Sequence, residues 1–170
     1  MNTASAKKEF LKLIEDNKGI IFKICNSYCA NVNDREDLAQ DIIYQLWRSG
    51  KRFSNDHKFT TWMYRVALNT AISFYRKEKN KEGKIPLFES VYELPDRAES
   101  TSTTEENILL LQQLINELKE LDRALMILYL EDKSYKDIAD ILGITETNVA
   151  TRISRIKETL KQKFSKINNH

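Results

Sequence analysis

Apolar residues recur along this chain at intervals of three and four, the period of an amphipathic helix. No stretch keeps the strict alternation of a half-buried strand, so the pattern predicts an all-α protein. Glycines mark the breaks: Gly19, Gly50, Gly83 and Gly143 each fall where the periodicity ends or changes phase. Both prolines, Pro86 and Pro95, lie in one segment, GKIPLFESVYELPDRAESTSTTEE (residues 83–106), which is rich in Ser, Thr and acid and holds no helical period. It has the composition of a linker. The expected organisation is therefore a helical domain over 1–84, a flexible acidic linker over 85–104 and a second helical domain over 105–170.

The first domain divides into four helices. Two flank Gly19. The third is expected to open at Asn33 and Asp34, good N-cap types, with Glu36 and Asp37 in a first turn where the helix dipole favours acids, and to end at Gly50. The fourth runs from about Thr60 to Lys81. Leu38, Ile42 and Trp47 on the third, and Phe59, Met63, Val66, Ala67, Thr70 and Phe74 on the fourth, are expected to face inward. The second domain starts near Thr103, where Thr103 and Glu106 fit a capping box, with helices over about 105–119, 123–131, 135–142 and 146–165.

Residues 134–157, SYKDIADILGITETNVATRISRIK, show why this second domain carries chemistry. Ser134 and Asp137 fit a capping box opening a short helix with Ile138, Ala139 and Ile141 inward, and Ala139 leaves room for a helix crossing close by. Gly143 stands where that helix ends, and glycine readily takes the left-handed conformation needed there. Thr145 caps the next helix, on which Val149, Ile153, Ile156, Leu160 and Phe164 form one apolar stripe. Spacing, caps and amphipathicity agree on a helix-turn-helix, whose second helix enters the major groove of DNA. Opposite the stripe lie Thr147, Asn148, Thr151, Ser154, Arg155 and Glu158, with Arg152 to one side. Arg reads guanine, Asn reads adenine and Thr touches the thymine methyl. Lys157, Lys161 and Lys163 suit phosphates, which position a helix without reading sequence.

The net charge of +2 says little, but its placement says more. Arg65–Lys84 holds six basic and two acidic residues, Thr147–Lys166 six and one, and Lys84–Glu106 two and six. Two basic helices on an acidic tether are built for two contacts with one polyanion. On the fourth helix Trp62, Arg65, Asn69, Ser73 and Arg76 share one face, with Lys77 beside it. Aromatic and guanidinium planes stack on unstacked bases and amides read their edges, which suits a melted strand; Trp62 is either such a platform or half-buried. The third helix is different. Asp34–Arg48 holds four acids against two bases, wrong for DNA and suited to a basic protein partner. Its polar positions Asp37, Gln40, Asp41 and Tyr44 are the contact candidates.

No run of 18 apolar residues occurs and the first residues lack a signal-peptide core, so a cytoplasmic chain without membrane insertion is expected. Cys25 and Cys29 have no histidine at ligand spacing, which leaves a buried, reduced pair rather than a metal site. There is no nucleophile–base pair and no phosphate-cradling glycine loop, so neither a catalytic residue nor a cofactor is assigned.

The segments DREDLAQDIIYQLWR (34–48) and KFTTWMYRVALNTAISFYRK (58–77), the linker and the helix-turn-helix together resemble the extracytoplasmic-function sigma factors, the small two-domain sigma subunits of bacterial RNA polymerase. The resemblance spans nearly the whole chain in the right order. It implies that the first domain is sigma region 2 and the second sigma region 4. The stretch DLAQDIIYQLW would dock on the β′ clamp of core RNA polymerase through Asp37, Leu38, Gln40, Asp41, Tyr44 and Trp47. Trp62, Arg65, Asn69, Ser73, Arg76 and Lys77 would hold the melted minus-ten strand of promoter DNA, with Asn69 matching a position implicated in capture of a flipped base. Thr147, Asn148, Thr151, Arg152, Ser154, Arg155 and Lys157 would read the minus-thirty-five duplex. The linker would thread polymerase along the RNA path, and an anti-sigma factor would be the partner that masks both DNA faces.

Two positions depart from the family. Leu118-Lys119-Glu120 stands where relatives carry Leu-Pro-Glu, and without Pro the flanking helices are expected to join more smoothly. Ala150 stands where many relatives place Lys or Arg, so the family's upstream sequence does not carry over. Two rivals are a free-standing helix-turn-helix regulator, which leaves the third and fourth helices' faces without a role, and a helical adaptor that binds only proteins.

Overall fold

A computed structural model describes residues 3–54, 58–82 and 103–169. The linker assigned to 85–104 lies outside the described residues except for its last two. The described residues form eight α-helices and one 3-10 turn, with no strand, and the chain divides into two compact units.

The first unit contains α1 (Ala4–Asp16), α2 (Lys18–Tyr28), α3 (Val32–Ser49), the 3-10 turn Gly50–Arg52 and α4 (Phe59–Glu82). Helices α2, α3 and α4 pack on one another, and α1 lies against α2. Apolar positions four apart on α3 (Leu38, Ile42, Leu46) and a stripe on α2 (Ile21, Ile24, Cys25, Tyr28) meet Met63, Tyr64, Ala67, Leu68, Ala71 and Tyr75 of α4 in the core. Ala67 and Ala71 are the small residues that let α4 come close.

Several local expectations shift. Asn17, not Gly19, separates the first two helices: its Nδ2 donates to Leu13 O at 2.8 Å, satisfying a terminal carbonyl, and Gly19 lies inside α2. Helix α3 starts earlier, capped by Asn31, whose Oδ1 accepts from Asp34 N at 2.8 Å while Nδ2 donates to Asp34 Oδ2 at 2.7 Å. Leu46 takes the core place expected of Trp47, because four residues on from Ile42 continues the buried stripe and five does not. On α4 the core is centred one position later than expected: Phe59, Val66, Thr70 and Phe74 are half-buried rims. Arg35 closes the α2–α3 corner, donating to Cys29 O at 3.3 Å and Ala30 O at 2.9 Å.

The second unit contains α5 (Thr103–Asn116), α6 (Glu120–Leu130), α7 (Tyr135–Leu142) and α8 (Glu146–Asn168). Helix α6 is its centre, buried without a break from Arg123 to Leu128, and α8 packs on α5, α6 and α7. Thr103 is the first described residue of α5, and Glu105 and Glu106 stand in its first turn, where the helix dipole favours acids. The α5–α6 join is not smooth even without proline. Lys119 keeps φ −58° and ψ 153°, the backbone that proline would impose. The guanidinium of Arg123, 1 % exposed, spans the break by donating to Asn116 O and, at 3.0 Å, to Leu118 O. A buried cation thus satisfies carbonyls that the end of α5 leaves open.

Candidate nucleic-acid and polymerase interfaces

The helix-turn-helix forms as its residue types require. Ser134 Oγ accepts from Asp137 N at 3.1 Å and opens α7. Gly143 ends it with φ +69°, and its N–H donates to Ala139 O at 2.9 Å. Thr145 Oγ1 then accepts from Asn148 N at 3.1 Å and opens α8. Val149, Ile153, Ile156 and Leu160 are buried and Phe164 is half-buried, which fixes the orientation of α8. Thr147, Asn148, Thr151, Ser154, Arg155 and Lys157 are consequently exposed together along its outer side.

Not all of these side chains are equally available. Arg152 is half-buried, with Nη1 2.8 Å from Asp122 Oδ1 of α6, and its Nε donates to Asn148 Oδ1 at 3.2 Å. Thr151 Oγ1 donates to Thr147 O at 2.9 Å. Lys157 places its ammonium 4.4 Å from the Tyr129 ring centroid, a cation–π pair within the unit. Lys163 bridges to Glu117 at 3.2 Å, with both side chains exposed. The partners Asp122 and Tyr129 were missed because no spacing along α8 points to residues on α6.

On α4, Arg65, Asn69, Ser73, Arg76 and Lys77 are all exposed. Trp62, at the start of the same face, is half-buried in an aromatic cluster: its ring centroid lies 5.8 Å from Phe10, 5.2 Å from Phe53 and 5.5 Å from Phe59. The basic face therefore begins from a fixed aromatic wall that joins α1, the loop after the 3-10 turn and α4.

On α3, Asp37, Gln40, Asp41 and Tyr44 are exposed, Trp47 is 41 % exposed, and Leu38 is fully buried. Leu38 can support this face only from beneath. The structure adds Ile43, exposed on the same side three and four residues from Gln40 and Trp47. An apolar ridge of Ile43, Tyr44 and Trp47 thus runs beside the acids Asp37 and Asp41. The sequence signal was available: Ile43 and Trp47 are four apart, out of phase with the buried Leu38, Ile42 and Leu46.

Among the described residues, no helix is long and apolar enough to cross a membrane.

Comparison with known proteins identifies the two units. Residues 13–81 match the family model for sigma-70 region 2, and residues 108–160 match that for sigma-70, region 4. The ECF RNA polymerase sigma factor SigW of Bacillus subtilis is 29% identical over 91% of this chain and 88% of its own length. The RNA polymerase sigma factor SigZ of the same organism is 30% identical over 77% and 74%. In fold, the chain resembles the sigma factor RpoE of Bartonella quintana, solved with the anti-sigma factor NepR, at TM-score 0.68 and 22% identity over 96% of this chain and 98% of that one. CnrH, solved with the cytosolic domain of CnrY, gives TM-score 0.66 at 18% identity over 94% and 89%. With both sigma regions matched in order along one all-helical chain, this protein belongs to the sigma-70 family of RNA polymerase sigma factors, as one of its extracytoplasmic-function members, and directs transcription to promoters.

Proposed function

We propose that three faces divide the work of promoter selection, and that the residues named on each are the ones in contact. Asp37, Gln40, Asp41 and Tyr44, with Ile43 and Trp47, meet the β′ clamp of core RNA polymerase. The apolar ridge supplies buried area, and the flanking acids select a basic partner. Arg65, Asn69, Ser73, Arg76 and Lys77 hold the melted minus-ten strand, against the wall that Trp62 completes. Helix α8 reads the upstream duplex through Thr147, Asn148, Thr151, Ser154 and Arg155, with lysines on phosphates.

The mechanism is positional. Unstacking a base step costs a few kcal/mol, and contacts to the extruded strand offset that cost only where polymerase holds it in reach. The chain contributes no bond-making chemistry; it is a specificity subunit and not itself an enzyme. It acts in the cytoplasm, where polymerase works. The first domain extends through residue 84, the second from residue 105, and the acidic segment between them tethers the two. An anti-sigma factor, a partner of the kind solved with RpoE of Bartonella quintana, holds this chain inactive by covering the α4 and α8 faces.

The observation that carries the reading is the coexistence in one chain of an exposed acid-and-aromatic face on α3 and a basic face on the adjacent α4. A free-standing duplex regulator needs neither. Co-purification tests it: the chain is retained by immobilised core polymerase, and Asp41→Lys together with Tyr44→Ala abolishes retention while thermal unfolding is unchanged. Retention indifferent to those substitutions, or tight duplex binding with no retention at all, rejects it.

A further inference from the structure

Asp122, Arg152 and Asn148 form a relay, and promoter reading by α8 leaves its inner member Asp122, on α6, without a role. Asp122 lies in the first turn of α6 and accepts from Arg152 Nη1 at 2.8 Å. The other edge of the same guanidinium, Nε, donates to Asn148 Oδ1 at 3.2 Å. A guanidinium nitrogen only donates, so the amide atom facing it is the oxygen. The amide NH2 of Asn148 must therefore point away from Arg152. Asn148 is the third residue of α8 and is exposed, at the end of a recognition helix that meets base edges.

That orientation changes which base the side chain matches. An asparagine free to present both ends pairs with adenine, accepting from N6 and donating to N7. With its oxygen turned to Arg152, Asn148 cannot set both ends of the amide against one base edge and presents its NH2 foremost. Guanine, with N7 and O6 as two adjacent acceptors, is the major-groove edge that fits. Arg152 is held from outside its own helix, so its guanidinium cannot follow the amide if Asn148 rotates. Lysine could not replace it, because one ammonium lacks the fork that reaches two partners in fixed directions.

We propose that Asp122, acting through Arg152, is a positioning residue that locks the amide of Asn148 and sets its preference for guanine over adenine. The proposal rests on α8 reading the upstream duplex. The experiment uses the full chain with core polymerase on barcoded templates in which every upstream base pair is varied, with transcripts counted by barcode. Asn148→Ala identifies the position that Asn148 reads, as the one whose preference it removes. The wild-type chain prefers guanine there, about tenfold over adenine. Asp122→Ala and Arg152→Lys each move that position towards adenine and leave the other positions as they were. Thermal unfolding shows whether each variant is folded, and if Asp122→Ala is not, Arg152→Lys alone decides.

A wild-type preference for adenine at that position overturns the lock. So does an unchanged guanine preference in the folded variants, or an equal loss at every upstream position. If the wild-type chain shows no upstream preference at all, the reading of α8 falls and the lock with it. If Asn148→Ala alone relaxes its position, the lock falls and α8 stands.

Discussion

Phe10 of α1 and Trp62 of α4 lie with ring centroids 5.8 Å apart, which ties the N-terminal helix to the start of the basic face. Phe10 is buried and also meets Phe59 and Trp47, so one residue supports both the α3 ridge and the α4 face. Trp62 has a structural duty wherever it stands relative to DNA.

Asn69 and Trp62 should therefore respond differently to truncation. Asn69→Ala, at an exposed position, is expected to impair open-complex formation while leaving stability within about 0.5 kcal/mol and polymerase binding intact. Trp62→Ala should also impair opening and spare polymerase binding, but with a stability loss of about 3 kcal/mol in the first unit, at the low end for large aromatic truncations because the side chain is only half-buried. Urea unfolding and permanganate footprinting of the melted strand separate the two. A Trp62→Ala chain as stable as wild type would contradict the aromatic wall.

Arg123 should be costly to remove and Lys119 profitable to change. Arg123→Ala leaves the part-buried carbonyl contacts of Asn116 and Leu118 without their donor and opens a cavity at a buried position, an expected loss of about 3 kcal/mol in urea unfolding. Lys119→Pro fits a φ already at −58° and should add about 0.4–1 kcal/mol by restricting the unfolded chain. Destabilisation by Lys119→Pro would mean that the α5–α6 break needs something other than its backbone angle.

Gly143→Ala isolates backbone conformation from packing. A Cβ there meets nothing within 4 Å, yet φ is +69°, so the cost is the left-handed strain alone, about 1–2 kcal/mol. Thermal unfolding should show that loss, with Gly143→Asn milder, because asparagine visits this region more readily. No loss on Gly143→Ala would contradict the turn geometry.

Burial raises the Cys25 thiol to about 11, with Arg35 opposing, and raises Cys29 to about 12, with the neighbouring Cys25, Asp34 and Glu78 adding to burial. In the unfolded chain both titrate near 9. The unfolded state therefore loses protons first as pH rises, and stability falls from about pH 9 upwards, towards about 11 for Cys25 and about 12 for Cys29. Below pH 9 both states keep the protons and the pair adds no pH dependence. Cys25→Ser/Cys29→Ser should remove that alkaline slope in denaturant midpoints measured between pH 8 and 10.5, and a slope that persists would assign it elsewhere.

Arg155→Ala should reduce transcription selectively where the upstream element is intact, by about tenfold for one lost bidentate contact. Equal loss on templates lacking that element would argue against base reading by Arg155.

How much of this was legible beforehand depended on the range of the signal. The helix-turn-helix was readable residue by residue, because Ser134, Gly143 and Thr145 act through contacts within one turn. The α1–α2 break was misplaced because Gly19 is conspicuous, while Asn17 works through a side-chain bond that other residue types at breaks also make. Trp47 was drawn inward by its size, although the four-residue step from Ile42 to Leu46 outranks it. The Arg152–Asp122 pair, 30 residues apart, and the Tyr129–Lys157 contact belong to helix packing, which periodicity within one helix does not encode.

The most direct test of the account is run-off transcription by core RNA polymerase, with and without this chain, on fragmented genomic DNA. Discrete transcripts that appear only with the chain, and that vanish with Asn69→Ala and Arg76→Ala, are the predicted result. Core polymerase that starts no new transcript in its presence, or starts the same ones when the α4 face is stripped, would contradict it.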